Sequence, residues 1–213
     1  MTRGEAARCS GLVRRIGACR ICRDEPAGAP LPHEPRPVLR IAPNASIAVC
    51  GQAPGLRVHE SGVPFSDRSG DRLRAWMGLT PHEFYDRERV AIIPMGFCFP
   101  GYDTKGSDLP PRTECAPAWR AEVFAVLPRL RLLLAVGRYA ISWHLPERAR
   151  APLGETLADW RAILEARRAG PAVLVVPHPS WRNTGWLMEH SWFEAEVVPE
   201  LQRQVRLALL KGA

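Results

Sequence analysis

The chain has 213 residues, 46% hydrophobic and 24% charged, ordinary globular values that exclude wholesale disorder and fibrous repeats. No window reaches the roughly 18–20 unbroken apolar residues of a membrane span. The arginine-studded stretch from Met1 to Cys22 lacks the apolar segment of a secretory signal, so the expected compartment is the cytoplasm. Lys+Arg is 29 against 22 Asp+Glu, a formal charge of +7. That charge permits a polyanionic partner. Only Lys105 and Lys211 are lysines, and an arginine-heavy, lysine-poor chain equally reflects a GC-rich genome.

In chain order, Ala27–Pro43 is proline-rich and reads as an extended connection. Ser46–Cys50 is the first of four short, almost continuously apolar runs. Val90–Pro94, Leu132–Val136 and Val173–Val176 follow. Runs of that kind are strands covered on both faces. Helices are expected over Ser69–Leu79, over Pro117–Leu127 with a proline in its first turn, and over Gly137–Leu145. Two more are expected over Thr156–Arg168 and over Trp192–Leu210, the last interrupted at Pro199. Gly96–Pro111 is a long loop without periodicity, and such loops carry function or are pinned by something. Alternating strands and helices predict a three-layer α/β/α sandwich around a four-stranded parallel sheet. No linker or repeat divides residues 1–213, which read as one domain.

Ligands of open parallel sheets bind at the carboxyl ends of the strands. Two loops fall there: Gly51-Gln52-Ala53-Pro54-Gly55 after the first strand and His178-Pro179-Ser180-Trp181-Arg182-Asn183 after the fourth. A third, Gly62-Val63-Pro64-Phe65, leads into the first of these helices. Six cysteines without an export signal are read as core packing, catalysis or metal ligands rather than disulfides. Cys19-x2-Cys22 is a chelating pair, and Cys98 and Cys115 bracket the long loop. Together they would form a four-thiolate site pinning that loop to the N-terminal region. The alternative is unpaired buried thiols. Cys50 lies within a strand and belongs to the core, and Cys9 has no partner at useful spacing.

With these motifs in order, the chain resembles the uracil-DNA glycosylase superfamily, and most of all its iron–sulfur branch, family 4. That branch has a GEAPG motif, then GxPF in the register that Phe65 occupies here, then a motif beginning HPS. Its cluster cysteines occur as CxxC followed by a distant pair. The resemblance spans about Cys19 to Asn183. It implies excision of uracil from single- or double-stranded DNA by cleavage of the N-glycosidic bond, leaving an abasic site. It also implies a 4Fe-4S cluster on Cys19, Cys22, Cys98 and Cys115 with a structural or DNA-positioning role. A monomer working at the nucleoid, away from membranes, is expected.

By the same resemblance, Phe65 would stack on the flipped base. His178 would donate to the leaving uracil. The backbone at Gly51, Gln52 and Ala53 would bind the base edge, and Ser180 a flanking phosphate. Trp181 and Arg182 would fill the gap in the duplex.

Two departures stand out. Gln52 and Ala53 replace the Glu or Asp that orients water in relatives, so Gln52 can only orient water, and His59, then Glu60 and Asp67, are the nearest substitutes. Pro94 occupies the place of a base-reading Asn, which leaves three options: backbone groups read the base, Asn183 or a neighbour does, or selectivity is looser. Two other readings remain open from sequence: a cluster-bearing protein that binds uracil or abasic DNA without turnover, and a zinc-stapled domain acting on a nucleotide.

Overall fold

The computed structural model describes residues 2–166 and 169–210. Four parallel strands, β1 (Ile47–Cys50), β2 (Val90–Ile92), β3 (Leu132–Val136) and β4 (Ala172–Val176), form one sheet in the order β2-β1-β3-β4. Ile47 pairs with both Val90 and Leu132, and Leu132 with Ala172, so the strands start nearly level. Nearly every strand residue is buried, which is why the runs are apolar throughout instead of alternating.

Helices cover both sides. The Val198–Leu210 helix packs on β1, β3 and the Arg68–Met77 helix, Gly137–His144 lies against β3 and β4, and Leu153–Ala158 and Trp160–Glu165 cover β4. The outer edge of β2 is also closed. Arg40 N–H donates to Ile92 O (3.0 Å) and Ile92 N–H to Arg40 O (2.7 Å), so the proline-rich connection ends as a cover over an otherwise open edge.

Three helical expectations change. The stretch before Cys19 is an amphipathic helix, Arg3–Gly17, opened by a capping box between Thr2 and Glu5 and burying Cys9, Leu12 and Ile16. The single helix expected over Thr156–Arg168 is two, broken at Asp159, whose carboxylate accepts from Arg148 Nη1 at 2.6 Å. Its last residues, Arg167 and Arg168, lie outside the described residues. The irregularity expected at Pro199 falls earlier, as a wide turn over Phe193–Val197. Pro199 is the second residue of the helix that continues directly from that turn, so its missing N–H falls where the wide spacing gives way to ordinary helical spacing.

Candidate active site

The floor of the site is built where β1 ends. The Phe65 ring lies over Gly51 so closely that a Cβ on Gly51 would sit 3.2 Å from Phe65 Cζ. Phe65 holds this place with φ +54°, the one left-handed non-glycine residue among the described residues. Such strain costs about 1–3 kcal/mol and persists only where the surroundings enforce it. Here two donors grip its carbonyl, Tyr85 Oη at 2.9 Å and Arg74 Nη1 at 3.1 Å. The chain also needs glycine at 70, because a Cβ there would fall 1.8 Å from Phe65 O. Asp67 caps the helix that follows, its Oδ1 accepting from Gly70 N–H (3.1 Å) and Ser69 Oγ (2.5 Å).

His178 stands on another wall, at the end of β4. Gly137, just past β3, has φ +78° and would bring a Cβ within 3.5 Å of His178 Cβ, so the two strand ends meet closely. Ser180 N–H donates to His178 Nδ1 at 3.3 Å, which leaves Nε2 as the protonated, donating nitrogen of a neutral ring. Burial holds the imidazole below the usual histidine range, partly opposed by the Asp67 carboxylate. Asn183 Nδ2 donates to His178 O at 2.7 Å, and Arg72 Nη1 to Ser180 O at 3.1 Å. The loop is thus fastened to itself and to the Arg68–Met77 helix.

Between these walls lies a cavity of about 100 Å³, lined by Gly51 to Gly55, Val58, Phe65, Asp67, Pro94, Asp108 and His178 among others. It brings together six residues expected from sequence: Gly51, Gln52, Ala53, Phe65, Asp67 and His178. The N–H groups of Gln52 and Ala53 have no hydrogen-bond acceptor among the described residues. Ser180, Trp181, Arg182 and Asn183 form the loop beside the cavity, with Trp181 77% exposed.

Three expectations are revised by the geometry. His59 does not line the cavity. The Leu56–Ser61 helix, unforeseen in the sequence, gives Val58 to the cavity wall. It sets the His59 ring against His33 and Phe99, with centroids 4.4 and 6.1 Å away. Glu60 is exposed, and its carbonyl accepts from Arg36. Asn183 has its amide committed to His178 O rather than to a base edge. Asp67 does line the cavity, and Pro94 forms part of its wall. Asp108 was not singled out from the sequence, because a lone aspartate in a loop without periodicity carries no signal.

The four cysteines share one neighbourhood. Burial pushes the Cys98 and Cys115 thiols up to about 12 and Cys22 to about 11, and the other cysteines' charges push in the same direction at each. N–H donors reach two of the sulfurs, Trp119 Nε1 to Cys19 Sγ at 3.3 Å and Phe97 N to Cys115 Sγ at 3.4 Å. Among the described residues, no three His, Cys, Asp or Glu side chains stand close enough to hold a single metal ion. Cys50 and Cys9 are buried in the main core, which also takes in Cys115, while Cys22 and Cys98 pack with Leu31 in a small separate cluster.

Comparison with known proteins bears on this geometry. Residues 40–202 match the profile of the uracil DNA glycosylase superfamily. Among solved structures, the chain is similar to the solution NMR structure of a Methanosarcina acetivorans protein provisionally assigned as a uracil DNA glycosylase. The identity is 14%, the match covers 77% of this chain and 93% of that one, and the TM-score is 0.44. A likeness that loose adds no weight to the family match.

Proposed function

The chain belongs to the uracil DNA glycosylase superfamily, and from that premise we propose that it is a monofunctional DNA glycosylase that flips uracil out of DNA and hydrolyses its N-glycosidic bond. The observation that carries this reading is the pairing, across one small cavity, of a strained aromatic floor with a neutral imidazole whose free N–H is left to donate. A flipped base would stack on Phe65. The transition state has a cationic sugar and an anionic base. His178 Nε2–H would donate to the base oxygen on which charge develops, with the free N–H groups of Gln52 and Ala53 as further donors. The Asp67 carboxylate would supply negative charge beside the sugar. A neutral imidazole suits this work, because it gains a stronger hydrogen bond as charge builds without having to be recharged. Exposed Trp181 would take the space left in the duplex.

The cysteine group fits an iron–sulfur cluster. Cys22, Cys98 and Cys115 are buried, and burial and neighbouring cysteines hold their thiols up, so thiolates there need compensating positive charge, which iron supplies. The N–H···S contacts from Trp119 and Phe97 are of the kind that tune such clusters. Cys19, Cys22, Cys98 and Cys115 would hold a 4Fe-4S cluster. Its part would be to anchor the loop between Cys98 and Cys115 to the N-terminal region, outside the chemistry of bond cleavage.

The decisive assay incubates purified protein with a uracil-containing oligonucleotide and measures free uracil and alkali-labile breaks. Both should appear together. Tight binding without either would replace this reading with recognition lacking turnover.

A further inference from the structure

Neither familiar water-activating carboxylate is present at Gln52 or Ala53, yet a carboxylate does reach the cavity from elsewhere. A Cβ on Gly55 would lie 3.3 Å from Asp108 Oδ2. Asp108 shares the cavity wall with Gly51–Gly55 and His178. Its side chain has no hydrogen-bond donor among the described residues, whereas Asp67 spends Oδ1 on Ser69 and Gly70. Resting on the glycosylase reading above, we propose that Asp108 accepts the proton of the attacking water.

The segment that carries it is built as a firm seat. Tyr102 and Asp108 form an antiparallel bridge. Leu109 N–H donates to Gly101 O at 2.9 Å and Asp103 N–H to Ser107 O at 2.8 Å. Asp103 Oδ1 accepts from the N–H groups of Lys105 and Ser107, both at 2.8 Å. Arg182 Nη1 donates to Ser107 Oγ at 3.4 Å, tying the seat to the loop that carries His178. Gly101 and Gly106 take φ of +98° and +74° at its bends, which glycine adopts freely. Positioned groups act well only when their support is rigid, and a bridged, doubly capped loop meets that need. Asp108 is exposed as a residue, so water can reach it from outside while the cavity holds the base. Burial of the carboxyl and the nearby Asp67 charge raise its proton affinity, while Arg182 opposes them.

The step balances. As C1′–N1 breaks, its electron pair leaves with the uracil ring, held at its oxygen by His178. A water oxygen bonds to C1′, and the proton it sheds passes to the Asp108 carboxylate. The uracil anion then takes a proton from solvent, and Asp108 returns its own to solvent.

Asp108→Asn keeps size and polarity but cannot accept that proton. Under single-turnover conditions it should slow uracil release by about 10²-fold or more, the usual worth of a positioned base. Affinity for DNA carrying a non-cleavable 2′-fluoro-uridine should stay within about twofold, because a base lost in the transition state is not a binding contact. Added formate should recover part of the rate in Asp108→Ala. Three results overturn the proposal while leaving the glycosylase reading intact. They are a wild-type release rate in Asp108→Asn, an equal loss of affinity and rate, and a covalent sugar adduct on Asp108 found by mass spectrometry in quenched reactions, which marks a nucleophile. If the wild-type protein itself releases no uracil, both fall.

Discussion

Replacing Gly70 by alanine tests whether the bent Phe65 turn is what makes the floor of the site. The added Cβ would stand 1.8 Å from Phe65 O, 2.6 Å from its carbonyl carbon and 2.9 Å from its Cβ. None of these is the far end of a flexible side chain, so the turn must shift. The shift breaks the grip of Tyr85 and Arg74 on the Phe65 carbonyl. One neutral hydrogen bond and one from a cation are together worth about 2–4 kcal/mol. Release of the left-handed φ returns about 1 kcal/mol or more, leaving a net loss near 2 kcal/mol. For a chain of this size that lowers Tm by about 4–8 °C. Loss of the stacking platform removes a further interaction of about 1–3 kcal/mol from the bound base, about 5- to 150-fold in single-turnover excision. Gly17→Ala is the control, since a Cβ there meets nothing within 4 Å. Thermal melting and single-turnover release of uracil read both effects. A Gly70→Ala protein that melts and cleaves like wild type would refute the reasoning.

His178→Ala should reduce single-turnover excision by about 10²–10³-fold, the worth of one preorganised donor, while His59→Ala, off the cavity, should change it less than about tenfold. The reverse order would place the chemistry in the Leu56–Ser61 helix. Cys98→Ala should lose bound iron and lower Tm, and Cys9→Ala should lose none. Iron at background in anaerobically purified wild-type protein would remove the cluster. His144 is held down to about 3 by burial and by Arg120, whose Nη2 lies 2.8 Å from its Nε2. The unfolded chain therefore binds a proton here that the folded one refuses. Stability from this group is whole above about 6.5 and declines as pH falls toward 3. His144→Gln should flatten the stability slope between pH 5 and 6.5, and an unchanged slope would locate the sensitivity elsewhere.

The four strands were legible because burial on both faces leaves an unbroken apolar run, a pattern that needs no partner to be seen. Gly51–Gly55 and His178 were legible for the same reason, since a loop directly after such a run lies at the edge where ligands bind. The N-terminal helix was overlooked although Thr2 and Glu5 form its capping box and Cys9, Leu12 and Ile16 keep helical spacing. Its arginines hid a narrow apolar stripe. His59 was misplaced because the Leu56–Ser61 helix was unseen, and one helical residue turns a side chain by about 100°, from the cavity that Val58 lines to the His33 ring. Asp108 could not be found at all. What sets it across from Gly55 is a bridge to Tyr102 and two bends at glycine, and neither leaves a period or a spacing in the sequence.

The strand order β2-β1-β3-β4 also sets a time order. The aromatic floor belongs to the first half of the chain, but the imidazole arrives only with β4, which pairs with β3 and nothing else in the sheet. During synthesis, when domains build from the N-terminal end, a nascent chain that has made Phe65 and its supports still lacks His178. On the glycosylase reading, excision would therefore appear only once β4 has closed onto β3, so activity would double as a report that this last strand is in place.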